Sequence, residues 1–261
     1  MTVSVFIFQR IYMLFVVDKP HGITSFWAIN KLKYFLKNKQ EDTSEKIKIW
    51  HSGTLDPFAT GLMLIGVWAD TKKLTELTWL DKSYIATIDF SQDSDTRDLQ
   101  YRDRIKKYEV DGPPWPRSSK AGQRGVAKPG GFIPSPSLDQ IKQKLDTIVP
   151  SGMLPIPTFS AKKKDGQRSY DLARKGKAVE ESKEMKIYSY KILKYEFPLL
   201  ELELDVGSGT YIRSIAHRLG EQFGLGGILT ALRRTKVWNY ELKNYTFKEI
   251  EWTDVKYSLI P

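Results

Sequence analysis

Three stretches of this chain alternate apolar and polar residues with a period of two: Tyr84–Phe90, Lys186–Phe197 and Leu200–Val206. Successive side chains on a strand point to opposite faces, so this pattern predicts half-buried strands. The last two read as a pair turning near Pro198. Leu14–Val17 and Ile47–Trp50 are shorter strand candidates, and the apolar run Leu62–Val67 follows a segment dense in turn formers. Elsewhere the period changes to that of a helix. Thr24 or Ser25 is expected to cap a helix running to about Leu36, with Trp27, Ile29, Leu32, Phe35 and Leu36 on one face. Leu138–Ile148 reads as a short helix. Thr210 is expected to cap another, with Ile212, Ile215, Ala216, Leu219 and Phe223 inward and Gly224 stopping it. Strands and helices mix without the regular alternation of a doubly wound sheet, so the expected class is α+β.

With 261 residues, 41% of them hydrophobic, the chain can build a core for one large domain or two small ones. It has no cysteine, which excludes disulfides, thiolate catalysis and Cys-ligated metals, and its three histidines argue against a His-rich metal site. The net charge of +10 is localised: residues 101–200 hold 21 Lys and Arg against 11 Asp and Glu, while the flanking segments balance. A one-sided surplus fits a polyanionic partner, or simply a basic solvated surface. Val3–Val17 is too short and too interrupted, by Gln9 and Arg10, to span a membrane, and no small-residue cleavage site follows it. A soluble cytoplasmic protein without membrane contact is expected. Residues 111–137, rich in Pro, Gly, Ser and basic side chains, fall within a longer inserted loop over 100–137.

Among candidate functional residues Asp56 carries the most information. It lies between Gly53 and Gly61 and precedes Pro57, which pushes it toward extended geometry. The result is a carboxylate held on an exposed loop, although local physics alone favours an ordinary Asp-Pro turn. Arg213 stands in the first turn of its helix, where the dipole disfavours a cation; either a carboxylate or phosphate partner compensates, or the side chain is solvated. Tyr211 is a candidate for stacking or for core. Tyr84 reads locally as a packed strand aromatic. Lys162, Lys163, Lys164, Arg168, Arg174, Lys175 and Lys177, interleaved with Phe159 and Tyr170, suit a phosphate backbone or a charged solvated face. No phosphate-binding glycine loop or dinucleotide fingerprint occurs, so a nucleotide cofactor lacks support.

Taken together, these segments resemble the tRNA pseudouridine synthase B family. Val17–Ser25 (VDKPHGITS) is similar to its opening motif and His51–Gly61 (HSGTLDPFATG) to its catalytic signature. Lys82-Ser83-Tyr84, Asp95–Asp98, Ser160–Tyr170, Gly209–Arg213 and Leu232-Arg233-Arg234 resemble its later blocks, in order. The resemblance implies a pseudouridine synthase fold, a mixed and mostly antiparallel sheet flanked by helices and loops. It also implies a monomeric isomerase acting at uridine 55 in the T-loop of tRNA without metal or cofactor. In that reading Asp56 is the nucleophile, Arg213 its ion-pair partner and Tyr84 the aromatic beneath the target base. Leu232 walls the pocket, His51 fills the space left by the flipped nucleotide, and Asp98 belongs to the pocket's polar network. Lys19, Tyr211, Lys162, Lys163, Lys164 and Arg168 are expected to contact RNA. The alternatives are a non-catalytic RNA-binding or RNA-folding protein, and a synthase acting on other RNA. Residues 37–48 and 100–131 look longer than is usual in the family, and Ser83 stands where threonine is common. Residues 1–12 read as a dispensable extension before Met13, so the catalytic domain is expected over 13–261. The chain also ends without room for the appended RNA-binding domain that many members carry.

Overall fold

The computed structural model describes residues 13–39, 46–68, 73–94, 96–98, 106–107, 135–157, 163–164, 167–168, 181–250 and 253–260. They fall into two compact units, one within 1–83 and 233–261, the other within 84–232. The first contains β1 (Met13–Lys19), α1 (Ser25–Asn38), β2 (Ile49–His51), β3 (Thr60–Val67) and α2 (Lys73–Thr78). Strand β4 (Lys82–Asp89) leads the chain into the second unit. There follow β5 (Gln92–Asp93), β6 (Lys106–Lys107), α3 (Leu138–Asp146), β7 (Ser151–Pro155), β8 (Lys163–Lys164), β9 (Gln167–Arg168), β10 (Ser182–Glu196), β11 (Leu199–Val206) and α4 (Ile212–Gln222). Strand β12 (Ile228–Val237) returns the chain to the first unit, which β13 (Tyr240–Glu241), β14 (Lys248–Glu249) and β15 (Lys256–Ile260) complete. No helix among the described residues is long and apolar enough to cross a membrane.

In the first unit the strand order is β14-β15-β1-β3-β12. β1 runs antiparallel to both β15 and β3. β3 changes its other neighbour midway: Ile65–Val67 pair with β2, whereas Thr60 and Gly61 lie parallel to Arg233 and Arg234 of β12. Residues 52–59 leave the sheet at that change. Val16, Leu62, Leu64 and Val237 form a core cluster on one face. Phe15, one position out of phase with Val16, turns to the other face, where its ring and that of Phe35 on α1 both meet Tyr257. Covering on both faces is why β3 is buried from Gly61 to Val67 and reads as an unbroken apolar run.

Helix α1 begins as expected, with the Thr24 hydroxyl accepting from the Trp27 amide at 3.1 Å. Its buried stripe is Ser25, Ala28, Ile29, Leu32 and Leu36. Trp27 departs from the sequence expectation and is 37% exposed. At 100° per residue it lies nearly opposite that stripe, and the Lys31 ammonium sits over its ring at 4.6 Å.

The second unit orders its strands β12-β4-β11-β10-β7. β10 and β11 form the expected antiparallel pair, closing at Glu196 and Leu199. Leu200, Leu202, Leu204 and Val206 are buried in alternation. Ser137 and Gln140 build a reciprocal capping box at the start of α3. The cap of α4 differs from expectation: Tyr211 occupies the N-cap position and makes no side-chain cap bond. The Thr210 hydroxyl instead donates to the Lys186 carbonyl at 3.0 Å, so tertiary bonding to β10 overrides local capping. Gly224, at φ +68, lies just past the end of α4 as expected.

Candidate active site

In the first unit, the loop between β2 and β3 carries Asp56, and both of its neighbours are clamped. Leu55 is held through its main chain: the buried Ser25 hydroxyl accepts from the Leu55 amide at 2.8 Å and donates to its carbonyl at 2.9 Å. The Pro57 carbonyl accepts from the Gly22 amide at 2.9 Å and from the Lys19 ammonium at 3.2 Å. Leu55 and Phe58 are buried, while Asp56 between them is only half-buried. The loop is thus anchored by two apolar side chains, and the carboxylate between them is set by backbone bonds on either side. Gly61 closes the loop at φ +103, and a Cβ there would land on the Arg234 carbonyl.

Lys19 is 0% exposed and also donates to the carbonyls of Pro20 at 2.9 Å and Ile23 at 2.8 Å. Its three donors therefore all serve the main chain around Asp56. It holds the loop and is not placed on the surface for RNA contact, as the sequence had suggested. Burial lowers its pKa to about 8; the Asp56 carboxylate works against that shift and Arg234 adds to it. Arg234, 1% exposed, donates from Nε to the Leu62 carbonyl at 2.6 Å and from Nη2 to that of Gly53 at 3.1 Å. Arg233 grips Asp18 in bidentate fashion at 2.7 and 3.1 Å, fastening β12 to β1. Lys82 is buried as well and donates to the carbonyls of Thr78 and Leu80; burial, with Arg234, takes its pKa to about 8.

His51 ends β2. Its Nδ1 accepts from the Gly53 amide at 3.2 Å, and burial, with Arg234, lowers its pKa to about 4. It is a neutral imidazole at physiological pH.

In the second unit, Arg213 is 4% exposed, which removes the solvated-arginine reading. Its Nη1 lies 3.5 Å from Oδ2 of the fully buried Asp98 and donates to the Thr96 carbonyl at 2.9 Å. Asp98 Oδ1 accepts from the Thr96 hydroxyl at 2.9 Å, and the Ser94 hydroxyl donates to the Asp98 carbonyl at 2.9 Å. Arg97, at φ +61, makes the turn between them, and its carbonyl accepts from Leu229 of β12. The carboxylate expected from the helix-dipole argument is therefore present, rooted in a buried turn. Tyr84 on β4 and Leu232 on β12 are both buried. Tyr211 is half-buried, with the Lys183 ammonium 5.3 Å from its ring centre.

Lys163 and Lys164 pair with Arg168 and Gln167 as two short antiparallel strands. Lys162, like the side chains of Lys163, Lys164 and Arg168, lies outside the described residues, as do residues 1–12, 40–45 and most of the 100–137 segment. The sequence offered Ser25 only as a helix cap and gave no role to Lys82, Arg233 or Arg234; Ser25 and Arg234 hold the Asp56 loop, Arg233 joins β12 to β1, and Lys82 binds the turn before β4.

Comparison with known proteins places these features. The model of the TruB family pseudouridylate synthase (N terminal domain) matches residues 40–111 and 106–212. The tRNA pseudouridine synthase B of Flavobacterium johnsoniae is 37% identical over 231 residues, covering 88% of this chain and 90% of that protein. The tRNA pseudouridine synthase B of Phocaeicola vulgatus is 34% identical over 240 residues, covering 91% of each. Among solved structures, a chain of a Cbf5-Nop10-Gar1 complex shares the fold at a TM-score of 0.58 and 21% identity, covering 88% of this chain. The present chain spans half the length of that one (50%). With the family model matching more than half of its length and relatives above 30% identity along most of it, the chain belongs to the TruB family of pseudouridylate synthases.

Proposed function

We propose that this chain isomerises uridine 55 in the T-loop of tRNA to pseudouridine, with Asp56 as the nucleophile. The observation that carries the reading is the Asp56 loop. Its carboxylate stands between two residues whose main chains are both held, Leu55 by the buried Ser25 and Pro57 by Gly22 and the buried Lys19. Such rigidity is what a nucleophile needs to meet a substrate without reorganising.

In this reading Asp56 assists cleavage of the bond between ribose carbon 1′ and uracil nitrogen 1. The uracil rotates while still bound, carbon 5 joins carbon 1′, and the proton on carbon 5 is lost as nitrogen 1 gains one, so product and substrate are isomers. The base must first leave the folded RNA, at a cost of a few kcal/mol. Stacking on Tyr84 and insertion of the neutral His51 offset that cost. The family resemblance assigns Leu232 to the pocket wall and Arg213, which Asp98 and Thr96 steady, to the counter-charge of the nucleophile. The relatives' activity on tRNA supports the substrate class.

The test is Asp56→Asn, which keeps the size of the side chain and removes its charge. RNA binding is expected to persist and pseudouridine formation to vanish; isomerisation above background by a clean variant refutes the assignment. Mapping pseudouridine across total RNA, with and without the protein, decides between the T-loop and other RNAs.

A further inference from the structure

Trp50 contributes little to the core. It lies one residue before His51 on β2, its main chain pairs with Gly66, and its side chain is 62% exposed. Its ring is parallel to the His51 imidazole, at an interplanar angle of 7° with centroids 5.7 Å apart. The other ring pairs among the described residues of this unit, Phe15–Tyr257, Phe35–Tyr257, Trp238–Tyr240 and Tyr245–Phe247, are tilted or edge-on. Tilted and offset-parallel pairs are both ordinary packing arrangements; here the parallel pair, with Trp50 so exposed, leaves one flat face of the indole open.

We propose that Trp50 is a base-stacking residue, and that its exposed indole face receives a nucleobase of the substrate RNA beside the nucleotide engaged by His51. The inference rests on the reading of His51 as the side chain that enters the RNA, and extends that contact to a second base. Three observations choose a nucleobase as the occupant. Pairing with β3 fixes the strand, so the indole is presented at little conformational cost. Exposed Lys46 and Lys48 precede it on the same segment, which suits a phosphate backbone. The imidazole against which it lies is uncharged at neutral pH, so the platform is a pair of neutral rings, a surface that accepts any base by its π-face.

The test uses the full chain with an unmodified tRNA transcript, with affinities measured by filter binding in an Asp56→Asn background so that no turnover intervenes. Trp50→Ala is expected to weaken binding about tenfold, equivalent to about 1.4 kcal/mol. Trp50→Phe, which keeps a flat ring, should stay within threefold of the parent, while Trp50→Leu, apolar but not planar, should resemble the Ala variant. In the Asp56-containing protein the loss should fall on kcat/KM and not on the single-turnover rate at saturating RNA. Unchanged affinity in the Ala variant, with normal turnover by the unsubstituted protein, overturns this inference alone. Leu rescuing as well as Phe also overturns it, pointing to an apolar protein contact. If the unsubstituted protein makes no pseudouridine in this RNA, the parent reading fails and this one falls with it.

Discussion

Lys19→Met tests whether a buried ammonium is what steadies the Asp56 loop. The substitution keeps the apolar stem and removes three donors, to Pro20, Ile23 and Pro57. Two effects oppose each other at neutral pH. Burial has lowered the Lys19 pKa from 10.5 to about 8, which at 1.36 kcal/mol per unit is a cost of about 3 kcal/mol that the variant escapes. The variant also leaves three carbonyls without this donor, which works in the other direction. The pH dependence is the sharper signature. Above pH 8 the folded protein gives up the Lys19 proton while the unfolded chain keeps it until about 10.5. The unfolded state then binds more protons, and stability rises with pH across that window. Lys82, lowered to a similar value, adds the same trend in both proteins and cancels in the difference. Urea denaturation at pH 7, 8, 9 and 10 should therefore show the wild type gaining on the variant by up to about 3 kcal/mol. A difference that stays flat or moves the other way above pH 8 refutes the assignment of Lys19 as a buried cation under strain. Turnover should also fall, since the Pro57 carbonyl beside Asp56, the proposed nucleophile, loses one of its two donors.

Tyr84→Leu removes the proposed stacking surface, and Arg213→Met leaves Asp98 buried without its guanidinium; each should lower single-turnover rates at saturating RNA at least tenfold, and near-normal rates refute that residue's proposed role. Changing Lys162, Lys163 and Lys164 together to Ala should weaken tRNA binding and flatten its salt dependence, because each phosphate contact releases counterions. An unchanged affinity and slope in a filter-binding salt titration would make the cluster a solvated face. Deleting residues 1–12 should leave turnover and the denaturation midpoint unchanged; loss of either shows that the segment is needed.

Where side-chain periodicity was strong, the fold could be read directly. The β10–β11 pair and α3 appear within a few residues of expectation, because each is specified by local alternation, a turn or a cap. Thr210 departs because a tertiary contact overrode a local preference, and Trp27 because of its own angle on the helix. Thr210 is a good N-cap by type, yet its hydroxyl serves the Lys186 carbonyl of β10. Trp27 was assigned to the buried face of α1 on hydrophobicity, although its angle puts it on the other side, where Lys31 covers it. The change of partner along β3 left no trace in the sequence, since Gly61–Val67 are buried whichever neighbour they pair with.

The site was legible in part. The helix-dipole argument left Arg213 with either an anionic partner or a solvated side chain; Asp98 supplies the partner, but nothing local to residue 213 could name it. Arg234 was missed, although a signal existed. On a strand, residues 232 and 234 share a face, so a Leu232 assigned to a pocket wall implies an inward guanidinium at 234 that must find acceptors. Those acceptors, the carbonyls of Leu62 and Gly53, are supplied only by the fold. Burial is the main cause of the lowered pKa values of Lys19, Lys82 and His51, and Arg234, a fixed positive charge, adds to all three shifts. Arg234 close to the buried Lys19 and Lys82 makes a region of positive potential, and a carboxylate is the natural counter-charge. The Asp56 carboxylate does favour the charged form of Lys19. The loop that carries the proposed nucleophile is thus held by Lys19, a buried cation that the loop's own carboxylate helps to stabilise, so the anchor and the residue it positions support each other.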